Sequence, residues 1–148
     1  MSGVVEQIAI SPQRDALPAP VQRVRATAGH GLEGEYHWTD APDPGQSITL
    51  IAAEALEGLR DDTGIELSHE ATRRNVLTRG VDLNALVGRR FTVGGAECEG
   101  VELCEPCNRL AKLTERGVLR GLVHRGGLRA DIVTGGEIAV GDRVSAPA

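Results

Sequence analysis

Glycine punctuates this chain from end to end, at 19 of 148 residues, with pairs at Gly94-Gly95, Gly126-Gly127 and Gly135-Gly136. Between these turn signals lie short runs of alternating apolar and polar residues, most of them of strand length. Strand and helix do not alternate regularly, which argues against a parallel doubly wound sheet. The pattern predicts a β-rich α+β domain: a closed or partly closed barrel of about seven to nine short strands with one or two helices. The large aromatics are Tyr36, Trp38 and Phe91. The core must therefore be built from Val, Leu, Ile and Ala.

Taken in order, residues 4–10 read as a first strand, 11–20 as a proline-rich loop, and 21–26 as a second strand. Periodicity then stops from 28 to 46, where glycines, prolines, two histidines, Tyr36 and Trp38 form a long loop. A loop of that length inside a compact domain is usually functional or disordered, and its aromatic content argues against disorder. Residues 47–51 read as an apolar strand. A helix follows over 52–62, with Ala55, Leu56 and Leu59 inward and Gly64 as C-cap. Ser68 opens a helical turn, and Arg73 to Thr78 leads into a strand. Gly80 to Gly88 reads as a turn and short helix with Asp82 as cap. Residues 90–93 and 96–103 pair across Gly94-Gly95, with a bulge or kink at Gly100. A helix is expected after Cys107, then strands at 128–134, 137–139 and 143–145. The chain reads as one domain over residues 1–148, without repeats or linkers.

The formal net charge of −5 argues against a general nucleic-acid binder. The charge is uneven. Residues 1–70 hold four arginines and twelve acids, giving −8; residues 71–148 hold twelve Lys and Arg and nine acids, giving +3. Arginine suits phosphate, so the second half is where an anionic ligand is expected. No apolar run approaches the length of a membrane span, and Met1-Ser2-Gly3 leads straight into a strand-like run. With three cysteines, the expectation is a soluble cytoplasmic protein with reduced thiols.

Chemistry concentrates at Leu103-Cys104-Glu105-Pro106-Cys107-Asn108. Pro106 suits the first turn of a helix, which puts Cys107 at a strand-to-helix corner. Backbone N–H groups and the helix dipole there stabilise a thiolate. A zinc site would need further ligands from Cys98 and scattered histidines (His30, His37, His69, His124). A dithiol redox pair fits the local strand, Cys-x-Pro-Cys, helix pattern but lacks a facing proline elsewhere. A single thiolate at Cys107 would serve as metal ligand or sulfur carrier, with Cys104 incidental. Both cysteines also fit as small buried apolar residues.

Three other stretches bear on the site. Arg73 and Asn75, two apart on an extended segment, would point to one side and offer a fork of donors and acceptors. His124-Arg125-Gly126-Gly127 is a basic, glycine-flanked turn suited to holding an anion in a backbone nest. His37 reads equally as a pocket acid–base group or a capped surface residue.

In their order, several stretches resemble the MOSC domain family, named from the C-terminal domain of molybdenum-cofactor sulfurases. They are Gly31-Leu32-Glu33-Gly34-Glu35-Tyr36-His37, the strand and helix of Ile48 to Leu56, and Arg73-Arg74-Asn75-Val76. After them come Gly80-Val81-Asp82-Leu83, Leu86-Val87-Gly88, Pro106-Cys107, the run from Arg125 to Val133, and Gly141-Asp142. The resemblance runs from about residue 3 to 145, essentially the whole chain. It implies a MOSC barrel, similar to the barrel of pyruvate kinase. Glu35 stands where the family has Asp, a change that moves the carboxylate by about 1.5 Å. Cys104 is not a general family feature.

The resemblance further implies that Cys107 ligates molybdenum and that Arg73 and Asn75 contact the pterin of molybdenum cofactor. Thr78, Arg125 and His37 are further cofactor-binding positions on this reading. Some relatives reduce N-hydroxylated compounds with an electron-donor chain, and usually carry an additional domain. That implies an electron-transfer or cofactor-delivery partner here, with no nucleic acid and no membrane. The alternative is a sulfur carrier with a persulfide on Cys107. At family level an association with pyridoxal phosphate binding is also carried.

Overall fold

The structure is a computed structural model that describes residues 1–105, 117 and 121–147. Its elements, in order, are β1 (Ser2–Ile10), β2 (Ala19–Val21), β3 (Arg23–Thr27), β4 (Gly31–Leu32), β5 (Ile48–Ala52), α1 (Ala53–Thr63) and α2 (His69–Thr72). Then follow β6 (Val76–Arg79), a 3₁₀ turn at Leu83–Leu86, β7 (Arg90–Val93), β8 (Ala96–Leu103), β9 (Leu128–Thr134), β10 (Gly136–Ala139) and β11 (Arg143–Ser145). The expected helix after Cys107 falls largely outside the described residues.

Seven strands close on themselves in the order β11-β7-β8-β9-β5-β6-β1, with β1 returning to β11 through Gly3↔Val144. Every pairing in this ring is antiparallel except β5–β6. That exception follows from the α1–α2 connection, which carries the chain back to the starting end of the sheet. Closure removes the unpaired edges that an open sheet would expose. β1 is long enough to pair with β6 on one edge and, on the other, with β11 at its start and β2 at its end. A second sheet, β10-β3-β4, was not foreseen; its inward residues Val24, Ala26, Leu32 and Ile138 join the barrel core.

The core is aliphatic, with Phe91 as its one large aromatic. Along β9 the alternation holds: Leu128, Ala130 and Ile132 are buried, while Arg129 is exposed. Each fully buried Leu, Ile or Phe contributes roughly 1.5–3 kcal/mol. The bulge foreseen at Gly100 is present, as a register shift between Gly100 and Glu102. A Cβ on Gly100 would lie 2.1 Å from the Leu86 carbonyl oxygen, so this residue admits the 3₁₀ turn against β8. Cys98 sits wholly inside the barrel, and burial, then the charges of Glu97 and Asp131, push its thiol pKa up to about 12. It is a core residue and not a thiolate ligand.

Gly64 caps α1 with φ 77°, its N–H donating to Arg60 O, and the Ser68 hydroxyl accepts from Ala71 N at 3.2 Å. Two expectations differ. Asp82 stands at the N-cap of the 3₁₀ turn without a side-chain capping bond. On α1 the buried positions are Ala53, Ala55 and Leu59, with Leu56 only half-buried. Among the described residues no helix is long and apolar enough to cross a membrane.

Candidate functional site

The Arg73-Arg74-Asn75 segment joins α2 to β6, and its geometry corrects the extended reading. Arg73 is left-handed, at φ 61° and ψ 20°, because it is the C-cap of α2. Arg73 and Asn75 therefore do not share a strand face. Arg73 Nη1 donates to the carbonyls of Arg14 and Ala16, at 3.2 and 3.0 Å. Asn75 is buried: Oδ1 accepts from the N–H and hydroxyl of Thr49, both at 3.0 Å, and Nδ2 donates to Ala9 O at 3.4 Å. It ties β6 to β5 and β1.

Between them, Arg74 takes the inward course. It is 8% exposed, and Nε donates to Gly126 O at 2.9 Å, Nη1 to Thr72 O at 3.1 Å, and Nη2 to Cys104 O at 3.0 Å and Glu105 O at 3.5 Å. One guanidinium thus joins the approach to β6, the end of β8 and the approach to β9. Among the described residues its partners are all carbonyl oxygens. Among those residues its positive charge is solvated by dipoles, which favours an anion close by.

The basic turn before β9 does hold an anion, and the anion belongs to the chain. The Glu105 carboxylate accepts from His124 N at 2.9 and 3.3 Å and lies 3.3 Å from His124 Nδ1. His124 is left-handed at φ 61°, and its carbonyl accepts from Asn84 Nδ2 at 2.8 Å. The segment entering Pro106-Cys107 is therefore fixed twice, by Arg74 on its carbonyls and by His124 on the Glu105 side chain. Cys104 is buried and donates its backbone N–H to Gly127 O at 2.7 Å. Cys107 itself lies outside the described residues.

The remaining candidates fall in three places. Arg125 turns to α1, where Nη2 meets Asp62 Oδ2 at 2.6 Å and Nε donates to Gly121 O at 2.7 Å. Gly58 makes room for it, since a Cβ there would lie 2.4 Å from Nη1. Arg125 also helps line a cavity of about 260 Å³, with Ala52, Asp82, Asn84 and His124. Thr78 is fully buried on β6, and its hydroxyl has no hydrogen-bond partner among the described residues. His37 Nδ1 is 2.9 Å from Glu35 Oε1, and the other Glu35 oxygen accepts from Ser11 N at 2.7 Å. The Ser11–Ala16 turn connects this pair to the arginine segment, since Arg73 donates to the Ala16 carbonyl and so does Ser11 Oγ.

Sequence reasoning passed over Arg74 as a site residue, and nothing local separated it from Arg73. His69 was equally hidden. It is 4% exposed, neither ring nitrogen makes a well-formed hydrogen bond among the described residues, and burial pushes its pKa down, with the nearby Arg74 backbone and the Glu70 charge opposing.

This order of motifs on this barrel is also what comparison finds. The family model of the MOSC domain matches residues 33–145, well over half of the chain. The chain belongs to the MOSC domain family. That family is associated with molybdenum cofactor binding. This MOSC domain is similar to the solved structure of the YuaD protein from Bacillus subtilis, with a TM-score of 0.87 and 16% identity, covering 97% of this chain and 94% of that one. It is similar to YiiM from Geobacillus stearothermophilus, with a TM-score of 0.77 and 15% identity, covering 100% and 76%. Against YiiM from Escherichia coli the TM-score is 0.74 at 14% identity, covering 100% and 70%. At these identities the likeness is one of fold. Among curated proteins no match is found.

Proposed function

We propose that this MOSC domain binds molybdenum cofactor, with the Cys107 thiolate as metal ligand, and supports two-electron reduction of N-hydroxylated compounds with a partner electron donor. The observation that carries the reading is the Arg74 knot. It fastens the arginine–asparagine segment to the Gly126 carbonyl of the run from Arg125 to Val133, and to the carbonyls of Cys104 and Glu105, which precede Pro106-Cys107 in the chain.

The residues present fit the cofactor in kind. A buried guanidinium whose described partners are carbonyls sets a positive field beside the cysteine segment, suited to an anionic, phosphate-bearing ligand. The Thr78 hydroxyl is a buried donor without a hydrogen-bond partner among the described residues. A thiolate is the soft ligand expected for a sulfur-ligated metal. On this reading Cys107 holds the metal, and Arg73, Thr78 and Arg125 are the side chains available to the rest of the group. Asn75, bonded to Thr49 and Ala9, contributes by positioning its neighbours. When bound, the cofactor supplies two-electron chemistry at an N–O bond.

The test is metal and pterin content. Protein made in cofactor-replete cells and purified anaerobically is compared with Cys107→Ser. Molybdenum and pterin fluorescence in the wild type, with molybdenum lost in the variant, is the expected result. Molybdenum in neither sinks the reading and leaves a persulfide on Cys107 as the assignment to test.

A further inference from the structure

Two of the three large aromatics, Tyr36 and Trp38, lie in the loop after β4, and between them stands His37. The loop is well anchored. Tyr36 N donates to Ser11 O at 2.8 Å, and Trp38 N donates to Glu35 O at 3.0 Å. The Tyr36 ring lies on His37, with centroids 4.0 Å apart. Beneath them Glu35 is buried, its side chain 5% exposed, while the His37 side chain is 37% exposed.

One Glu35 oxygen accepts the Ser11 N–H, and the other lies 2.9 Å from His37 Nδ1. A carboxylate oxygen so placed pairs with a donor, which assigns the imidazole proton to Nδ1. Nε2 is left as the working nitrogen on the more exposed side of the pair. A carboxylate that fixes tautomer and ring orientation in this way is the arrangement by which an imidazole is made ready for proton transfer.

We propose that His37 is the proton-transfer residue of this site, and that Glu35 is its positioning residue. The proposal rests on the reductase reading above for its reaction. Reduction of an N-hydroxylated compound follows R–NH–OH + 2 e⁻ + 2 H⁺ → R–NH₂ + H₂O. The N–O bond breaks, the oxygen leaves as water, and a protein electron donor supplies both electrons. As the imidazolium, His37 gives its Nε2 proton to the departing oxygen, the N–H electron pair stays on the ring, and solvent supplies the second proton to the amine nitrogen and then returns a proton to Nε2. Glu35 offsets the imidazolium charge in the protonated half of the cycle. The Ser11–Ala16 turn connects this pair to the segment that carries Arg73 and Asn75.

The dyad is tested without substrate by nitrogen–proton correlation spectra of the full chain, at a pH where free imidazole is neutral. Wild-type His37 is expected as the Nδ1–H tautomer. In Glu35→Gln the carboxamide oxygen keeps the Ser11 N–H and its NH₂ faces Nδ1, so the ring is expected to turn over to the Nε2–H tautomer. An Nε2–H tautomer in the wild type, or no change in the variant, overturns the dyad. In cofactor-loaded protein, His37→Asn is expected to lower turnover of an N-hydroxylated compound by roughly a hundredfold, with molybdenum content and circular dichroism unchanged. Unchanged turnover overturns the proposal, and so does loss of molybdenum in this variant, which would make His37 a cofactor contact. If the wild type carries no molybdenum, the reductase reading fails by itself. The tautomer spectra then still decide whether the dyad exists.

Discussion

Arg74 and Glu35 are both buried among the described residues, and they are buried differently. Arg74 directs its nitrogens onto four backbone carbonyls from three parts of the chain, and its side chain ends inside the fold. Glu35 is equally buried, but its chain of contacts runs from the Ser11 backbone outward to a half-exposed imidazole. The first arrangement is architecture. It costs desolvation of a cation, offset by dipoles, and holds the entry to Pro106-Cys107 in place. The second passes a buried charge to a titratable atom that solvent or a ligand can reach. Saturation of hydrogen bonds, more than burial, separates a residue that builds the site from one equipped to act in it.

The largest expected effect breaks the first half of that comparison. Arg74→Met leaves the Thr72, Cys104 and Gly126 carbonyls without their donor, and is expected to cost about 3 kcal/mol or more. Urea denaturation reads it, and a loss under about 1 kcal/mol would mean the knot is not structural. His69→Phe comes next. The folded-state pKa of His69 lies below its ordinary 6.5. The folded protein thus binds fewer protons there than the unfolded chain, and stability declines as pH falls below about 6.5. Glu70 and Glu57, also lowered, add their losses only at more acidic pH. Removing this buried imidazole, which makes no well-formed hydrogen bond among the described residues, is expected to gain about 1 kcal/mol and to flatten the decline just below pH 6.5. An unchanged slope in a pH series of melts contradicts this.

Smaller effects sharpen the comparison. Thr78→Val removes a hydroxyl that has no partner among the described residues, so stability is expected to move by less than about 1 kcal/mol. If Thr78 serves the cofactor, molybdenum content falls while the melting temperature holds. Arg73→Gln removes a partly exposed side chain bonded to two carbonyls, and stability is expected to shift by about 0.5 kcal/mol. A loss matching Arg74→Met would erase the distinction between the neighbouring arginines.

The barrel was legible because its information is local. Alternation marks β8 and β9, Gly100 marks the bulge, and Gly64 and Ser68 mark helix ends. The site was legible as a set of segments but not as a geometry. Arg73 follows a four-residue helix whose C-cap it becomes, and no periodicity signals that left-handed turn. Arg74 acts on carbonyls 30 and 52 residues away, and backbone acceptors carry no residue-type signature. The turn at His124 reads equally as an anion nest or a polar turn, and the carboxylate that meets it, Glu105, is a non-local partner. The second sheet was missed because β3 and β10 look like any barrel strands until their register is known.

The most direct test of the account is a native mass spectrum of the anaerobically purified full chain. The expected mass is that of the polypeptide plus one molybdenum–pterin unit, absent from Cys107→Ser. A bare polypeptide, or one heavier by a single sulfur atom on Cys107, would contradict it.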